Sequence, residues 1–163
     1  MTQRLLDMTG IGSQRLHLAW VSSAEAQRFV QIVTEATEAV RALGKFDPDA
    51  FKLQLDAAEQ TVLSETVRWL VGKETTITTR GDIYGRKWDR SSFESILNTA
   101  LEREYQIQLI LASINNGKTA PRTIDAETGI GVKRISYLLA DMEKRGMVEF
   151  KQMEAHKPVF AAL

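Results

Sequence analysis

The sequence predicts a mainly helical α+β protein with one isolated strand near its beginning and a β-hairpin at its end. Three observations lead to this prediction. Apolar residues recur at three- and four-residue spacing over most of the chain, which is the period of an α-helix. Before residue 104, only Leu16–Val21 has strand character. After residue 104 the pattern becomes helix, helix, helix and hairpin, the order of a winged helix-turn-helix domain.

Residues 1–45 read as helix, strand and helix. A short helix is predicted from Thr2 to Met8, and the strand at Leu16–Val21 follows it. A second helix with a wide apolar stripe is predicted from a cap at Ser22 or Ser23 to Leu43. This order is typical of an α/β domain, but a single strand leaves its backbone groups without partners. We therefore interpret residues 1–45 as the C-terminal remnant of a larger α/β domain.

Residues 46–103 are predicted to form a helical connector. Asp47-Pro48 can open a long helix that runs to about Val71. Residues 74–90 are rich in Thr and Gly and lack helical periodicity, so they are predicted to be a loop. A further helix, capped by Asp89 or Ser91, should continue toward the last domain.

The loop at 74–90 contains two aromatic residues among charges. One interpretation is a turn whose rings cover the adjacent helices, and this is the interpretation we favour. The other is a partner-binding segment. The residues that would make the docking contacts are Tyr84, Gly85, Lys87 and Trp88.

Residues 104–163 carry the clearest pattern. A helix that begins at Gln106 and is stopped by Asn115-Asn116-Gly117 is followed by a short helix at Arg122–Thr128, which Gly129 closes. A strongly amphipathic third helix precedes Gly146. Two β-compatible runs, joined across residues 154–157, would then form the wing. The second helix departs from the usual pattern, because Asp125 stands where a small residue is common.

The third helix of such a domain commonly enters the DNA major groove with its N-terminal residues. However, residues 104–163 contain eight Lys and Arg against seven Asp and Glu, whereas duplex-binding domains usually show a clear basic excess. We therefore favour a protein-docking or purely structural role over DNA contact, and keep both interpretations open. For either, the candidate contact residues are Lys118, Arg122, Lys133, Arg134, Ser136 and Tyr137.

The composition of the chain limits which partners and which cellular location it can have. Among 163 residues, 21 Lys and Arg balance 21 Asp and Glu, so no overall field attracts nucleic acid or an anionic membrane. No run approaches the roughly 18 apolar residues of a membrane helix, and no secretory signal is recognisable, so we expect a cytoplasmic protein without membrane contact.

Residues that carry chemistry are scarce. The chain has no cysteine, which excludes disulfides and thiolate ligands. Its two histidines, His17 and His156, are far apart and have no ligand-spaced neighbours. There is no phosphate-binding glycine loop, nucleophile elbow or H-E-x-x-H helix. We predict no catalytic, cofactor or metal site within this chain and leave open whether the whole assembly is an enzyme.

A family resemblance lies in the first 45 residues. The run Leu-Leu-Asp-Met-Thr-Gly-Ile-Gly from Leu5 to Gly12, followed by residues Arg15 to Glu25, is similar to the closing part of the delta subunit of methyl-viologen-reducing hydrogenase. Tyr84-Gly85-Arg86-Lys87, before a helix and a winged-helix module, resembles the C-terminal extensions of hydrogenase delta-type and heterodisulfide-reductase-associated subunits.

The resemblance implies a part in electron transfer. In that family an iron–sulfur domain relays electrons between a hydrogenase or flavoprotein and heterodisulfide reductase, and the cysteines that bind its [2Fe–2S] cluster lie largely upstream of this stretch. None can be carried over to this cysteine-free chain. Either the chain is the C-terminal portion of a longer subunit, which we favour, or it is a separate protein without the redox half.

The expected role is therefore that of an accessory, non-catalytic part of an oxidoreductase complex that docks to hydrogenase or heterodisulfide reductase subunits. The alternative is a DNA-binding transcription regulator. The unpaired strand and the long apolar helices also predict a homodimer in isolation.

Overall fold

The structure, a computed structural model, describes residues 1–163 and is mainly helical, with seven α-helices and one two-stranded antiparallel sheet. It divides into two compact units, Met1–Lys52 and Leu53–Leu163. The helices are α1 Thr2–Met8, α2 Ala26–Ala42, α3 Lys52–Leu63, α4 Glu65–Thr75, α5 Arg90–Asn115, α6 Pro121–Thr128 and α7 Val132–Lys144, and the strands are β1 Val148–Glu154 and β2 Lys157–Ala162.

The first unit contains α1 and α2, joined by a short 3₁₀ turn and an extended segment. The predicted helix Thr2–Met8 is confirmed as α1. Helix α2 begins after Glu25 and not directly after a serine. In the turn before it, the Glu25 carboxylate accepts a hydrogen bond from the Ser22 amide at 2.9 Å, and the Ser22 hydroxyl accepts one from the Ala24 amide at 3.4 Å. At the other end of α2, the Arg15 guanidinium donates to the carbonyls of Leu43 at 3.1 Å and Gly44 at 3.2 Å. A cation on the last carbonyls of a helix suits the helix dipole.

The strand predicted at Leu16–Val21 does not form, and the prediction of an α/β remnant strand is wrong for this structure. Leu16 has an extended backbone, with φ −116° and ψ 111°, but residues 16–22 belong to no sheet. The sole sheet is the hairpin of β1 and β2. A strand needs a hydrogen-bonded neighbour, and the chain provides none for this segment.

The helix predicted from Asp47 to about Val71 is divided in two. A 3₁₀ turn at Asp49–Phe51 leads into α3, and Ser64 separates α3 from α4. The Ser64 backbone is extended, and its hydroxyl accepts a hydrogen bond from the Val67 amide at 3.4 Å. A serine at the N-cap position stabilises the start of a helix, so Ser64 separates the end of α3 from the start of α4.

The predicted loop at 74–90 is shorter than expected. Helix α4 continues to Thr75, and Thr76–Arg80 forms one π-helical turn, so only residues 81–89 are non-helical. Asp89 then caps α5 by accepting a hydrogen bond from the Ser92 amide at 3.0 Å. Helix α5 is continuous over 26 residues and joins the two helices predicted on either side of residue 104. Its buried side chains include Phe93, Leu97, Leu101, Tyr105, Ile107, Ile110 and Ile114.

The end of α5, α6, α7 and the hairpin follow the predicted order of three helices and two strands. Val148 pairs with Ala162 and Glu154 with Lys157, with an irregularity in β1 between Phe150 and Gln152. The hairpin joins the helices through the Phe160 amide, which donates to the Thr119 carbonyl at 2.9 Å. One buried cluster holds these elements together, and its members are Ile107, Ile110, Ile114, Ile124, Ile135, Leu138, Leu139, Met142 and Val148.

None of the seven helices combines the length and hydrophobicity that crossing a lipid bilayer requires.

Candidate functional site

The first two turns of α7 carry four of the residues predicted to contact DNA or a partner. Lys133 and Tyr137 are exposed, Tyr137 to 64%. Arg134 is half-buried, since its Nε donates to the Gln106 side chain on α5 at 2.8 Å and its guanidinium lies 5.8 Å from the centre of the Tyr137 ring. Ser136 donates its hydroxyl to the Val132 carbonyl at 2.9 Å. Of this set, Lys133 is therefore the residue that makes none of these contacts, whereas Tyr137 is exposed with Arg134 against its ring.

The other two predicted contact residues lie near the start of α6. Lys118 and Arg122 are both exposed, and neither side chain makes an ion pair. Arg122 and Ser136 line the same cleft, whereas Lys118 is not part of its wall. The structure therefore brings Arg122 and Ser136 together and leaves Lys118 apart from them.

The acidic residues of α6 face the protein. The Asp125 carboxylate accepts a hydrogen bond from the Gly131 amide at 2.7 Å, and Glu127 accepts one from the Ser113 hydroxyl. Asp125 therefore stabilises the turn between α6 and α7 from the position where a small residue is common. Both contacts remove a carboxylate from the exposed face of α6, which lowers the negative charge that a ligand would meet there.

Two residues near the α6 and α7 starts were missed by sequence reasoning. His156 and Lys157 lie at the hairpin tip and line the same cleft as Arg122. Ala155 and His156 connect the strands with positive φ angles of 46° and 64°. The sequence carries no clear signal for their placement, since two-residue turns with positive φ at both central residues usually use Asn, Asp or Gly, and here they are Ala155 and His156.

The predicted docking loop is a stiffened turn around Asp82. The Asp82 carboxylate accepts hydrogen bonds from the Tyr84 amide at 2.8 Å, the Arg86 amide at 2.9 Å and the Arg86 Nε at 2.7 Å. Above all, the hydrogen bond from the Arg86 amide holds the pKa of Asp82 below its ordinary value. The base of the loop is tied to the preceding π-helical turn by the Trp88 amide, which donates to the Ile77 carbonyl at 3.0 Å.

This loop presents apolar side chains to solvent. Ile83 at its tip is 91% exposed, and Tyr84 is 74% exposed with the Arg86 guanidinium 5.1 Å from its ring centre. Trp88 lines a cleft with Ile77, and Lys87 and Gly85 are exposed. Ile83 was not among the predicted contact residues, although its place beside Tyr84 would have suggested it.

The first unit exposes many large apolar side chains. No residue of α2 is buried, and its apolar stripe, which includes Phe29 and Val30, faces solvent. The preceding extended segment adds Trp20, which is 84% exposed, and its residues 17–21 make no backbone–backbone hydrogen bonds. Between this segment and α2 lies a groove of about 410 Å³, lined by His17, Ala19, Val21, Phe29, Ile32, Val33 and Ala36. An apolar face of this kind typically marks an interaction site.

No group of three or more His, Cys, Asp or Glu residues is placed to hold a metal ion. A [2Fe–2S] cluster requires thiolate or imidazole ligands, and this cysteine-free chain offers no suitable set.

Comparison with known proteins identifies a likeness in the first unit. Residues 1–44 match the family model of the methyl-viologen-reducing hydrogenase delta subunit. The match covers α1, the extended segment and α2, and it does not reach the second unit. No solved structure matches the chain.

Proposed function

We propose that this chain is an accessory, non-catalytic part of a hydrogenase or heterodisulfide reductase electron-transfer assembly, and that it acts by docking to other subunits. One observation carries the proposal: the residues that match the hydrogenase delta subunit are those that expose an uncovered apolar helix and an unpaired extended segment. Burial of such surface is the main driving force of protein association.

The docking surface would combine the apolar face of α2 with the segment before it. Phe29, Val30 and Trp20 supply large apolar side chains, which contribute most to binding when a partner covers them. The free amides and carbonyls of residues 17–21 can pair with an extended strand of the partner. In isolation a second copy would cover the same surface, so we expect a homodimer, to be tested by light scattering over a range of concentrations.

We further propose that the chain comprises three functional parts in the cytoplasm. Residues 1–45 would be the hydrogenase delta-type remnant, and residues 46–103 a connector whose loop, at Tyr84, Gly85, Lys87 and Trp88, provides a second docking contact. Residues 104–163 would be a winged helix-turn-helix domain. The order of α5, α6, α7 and the hairpin supports this last assignment.

The experiment is copurification of the tagged chain with purified hydrogenase and heterodisulfide reductase subunits. The test variant is Val30→Glu, which places a charge on the exposed apolar face of α2. The matched control is Gln31→Glu, which adds the same charge at the neighbouring exposed position of the polar face. We expect wild type and Gln31→Glu to retain the partners and Val30→Glu to lose them. Gln31→Glu also removes the hydrogen bond from the Gln31 amide to Glu35, so circular dichroism must show that each variant keeps its helix content. Wild-type protein that retains neither subunit would rule out the proposal.

A second candidate function is DNA binding by residues 104–163. The observation that favours it is the inward orientation of the α6 carboxylates beside the exposed Lys133. The double variant Lys133→Glu, Arg134→Glu should then abolish binding to a random DNA duplex at low salt, and the wild-type affinity should fall steeply as salt rises. Absence of wild-type binding at low salt would eliminate this function.

A further inference from the structure

We propose that the loop at residues 81–89 docks into an apolar pocket of a partner protein, and that carboxylates on the rim of that pocket pair with Arg80 and Lys87. This inference rests on the proposed docking function and gives the chemistry of its second contact. The anchor of the contact is Ile83 at the tip of the loop, which is 91% exposed and which sequence reasoning did not select.

The tip of the loop is a β-turn that is already ordered in the free chain. The Gly85 amide donates to the Asp82 carbonyl at 2.9 Å, and the Asp82 amide donates to the Arg86 carbonyl at 2.9 Å. The Asp82 carboxylate also accepts the Tyr84 and Arg86 amides. Ile83 and Tyr84 are the two central residues of this turn. Because the backbone that carries them is held in place, binding loses little conformational entropy.

A cleft lies beside the exposed tip. Its volume is about 410 Å³, and Ile77 and Trp88 supply apolar parts of its wall. Asp82 and Arg86 also line it, but they pair with each other at 2.7 Å, so they add no net charge. A protrusion next to a cleft can interlock with a shaped protein surface, whereas a lipid surface would use only the protrusion. The shape therefore favours a protein as the occupant.

The charge of the loop region indicates the chemistry of that protein. Residues 80–90 contain four Lys and Arg against two Asp. Two of the cations are compensated, since Arg86 pairs with Asp82 and Arg90 pairs with acidic side chains of the flanking helices. Arg80 and Lys87 are exposed and make no ion pair.

Two uncompensated cations beside an apolar tip favour a partner with an acidic rim. Charged groups around an apolar contact mainly set which partner is accepted and how fast it associates. A second copy of the chain would bring its own Arg80 and Lys87 toward the same charges, which opposes self-association through this loop. The charge therefore favours a different protein over a second copy.

The first experiment measures the affinity of the full chain for purified hydrogenase and heterodisulfide reductase subunits by biolayer interferometry. Ile83→Ser should weaken binding to the subunit that holds the loop roughly 10- to 100-fold, because it removes a large apolar side chain from the contact. The matched control is Met153→Ser, which removes an exposed apolar side chain from the hairpin. It should bind as wild type does. Circular dichroism establishes that all variants are folded.

The second experiment tests the acidic rim by varying the salt concentration. Arg80→Gln and Lys87→Gln should each weaken binding roughly two- to fivefold at low salt, and the affinity of each should depend less on salt than that of wild type. The control is Lys144→Gln, which removes an exposed cation from the last turn of α7. It should keep both the affinity and the salt dependence of wild type.

The outcomes separate the loop contact from the proposed function. If Val30→Glu loses the subunits while Ile83→Ser binds them as wild type does, docking through α2 stands and the loop contact is overturned. If wild type binds neither subunit, both are overturned.

Two further outcomes would assign the loop to another occupant and overturn the proposal. One is that wild type, but not Ile83→Ser, sediments with phosphatidylglycerol vesicles, which would indicate a lipid surface. The other is that Ile83→Ser converts a dimer of the free chain into a monomer by light scattering, which would indicate a second copy.

Discussion

Replacing Tyr105 by phenylalanine should stabilise the second unit. Tyr105 lies on α5, is only 5% exposed, and its hydroxyl has no hydrogen-bond partner. A buried polar group without a partner costs about 1 to 3 kcal/mol, and phenylalanine removes the hydroxyl while the ring stays in place. We expect Tyr105→Phe to raise the free energy of unfolding by about 1 kcal/mol, which corresponds to roughly 2 to 4 °C in Tm for a chain of this size.

The dependence on pH provides a second, independent readout. Burial raises the pKa of Tyr105 from 10.0 to about 12. Because the unfolded chain releases this proton at lower pH than the folded chain, wild-type stability should fall as pH rises from about 10 to 12. Tyr105→Phe should lack this component. Urea unfolding followed by circular dichroism at pH 7 and above pH 10 measures both effects. A variant that is less stable than wild type at pH 7 would refute the reasoning, since the hydroxyl must then have a partner.

Three further predictions concern single elements, each measured by urea unfolding. Gly81→Ala should destabilise the chain by about 1 to 3 kcal/mol, because the φ of Gly81 is +85° and an added Cβ would lie 3.0 Å from the Arg86 carbonyl oxygen. The control is Gly72→Ala, in open space within α4, which should stabilise the chain by about 0.5 to 1 kcal/mol. Asp125→Ala should lower the free energy of unfolding by about 1 to 3 kcal/mol, because it removes the acceptor of the Gly131 amide. Asp125→Asn keeps an oxygen acceptor and should recover most of this loss. Leu138→Ala, at a fully buried position, should cost about 2 to 5 kcal/mol, and the exposed control Leu63→Ala should cost under 1 kcal/mol. Equal effects within any of these pairs would contradict the corresponding contact.

The last third of the chain was predictable because its periodicity coincides with its burial. Ile135, Leu138, Leu139 and Met142 recur at helical spacing, and all four are fully buried in α7. Gly129 closes α6 in the left-handed conformation, as expected for a residue without a side chain. Here local preference and tertiary packing favour the same structure, so residue spacing alone gives the order of elements.

Helix boundaries in the middle of the chain could not be predicted in the same way. Ser64 lies inside a continuous apolar pattern, and only its extended backbone and the hydrogen bond from the Val67 amide make it a cap. A serine can occupy a helix interior or a cap, and the choice depends on how the two flanking segments pack. The same limit applied to the start of α2, where the hydrogen bond from the Ser22 amide to the Glu25 carboxylate holds a turn that apolar spacing does not reveal.

The strand expected at Leu16–Val21 shows what a local pattern omits. Alternation of apolar residues favours an extended backbone, and Leu16 adopts one. Whether an extended segment becomes a strand depends on a neighbour with free backbone groups, which no local pattern specifies. The cleft between α6, α7 and the hairpin tip was equally invisible, since Arg122 and Lys157 line one opening only through the packing of the hairpin against α6 and α7.

Hydrogen exchange at residues 16–42 tests the docking proposal most directly. The free chain should exchange the amides of residues 17–21 rapidly, because they have no backbone hydrogen bonds. Adding purified hydrogenase or heterodisulfide reductase subunits should slow exchange in this segment and along α2, and Val30→Glu should remove that protection. Unchanged exchange at residues 16–42 in the presence of both subunits would contradict the account.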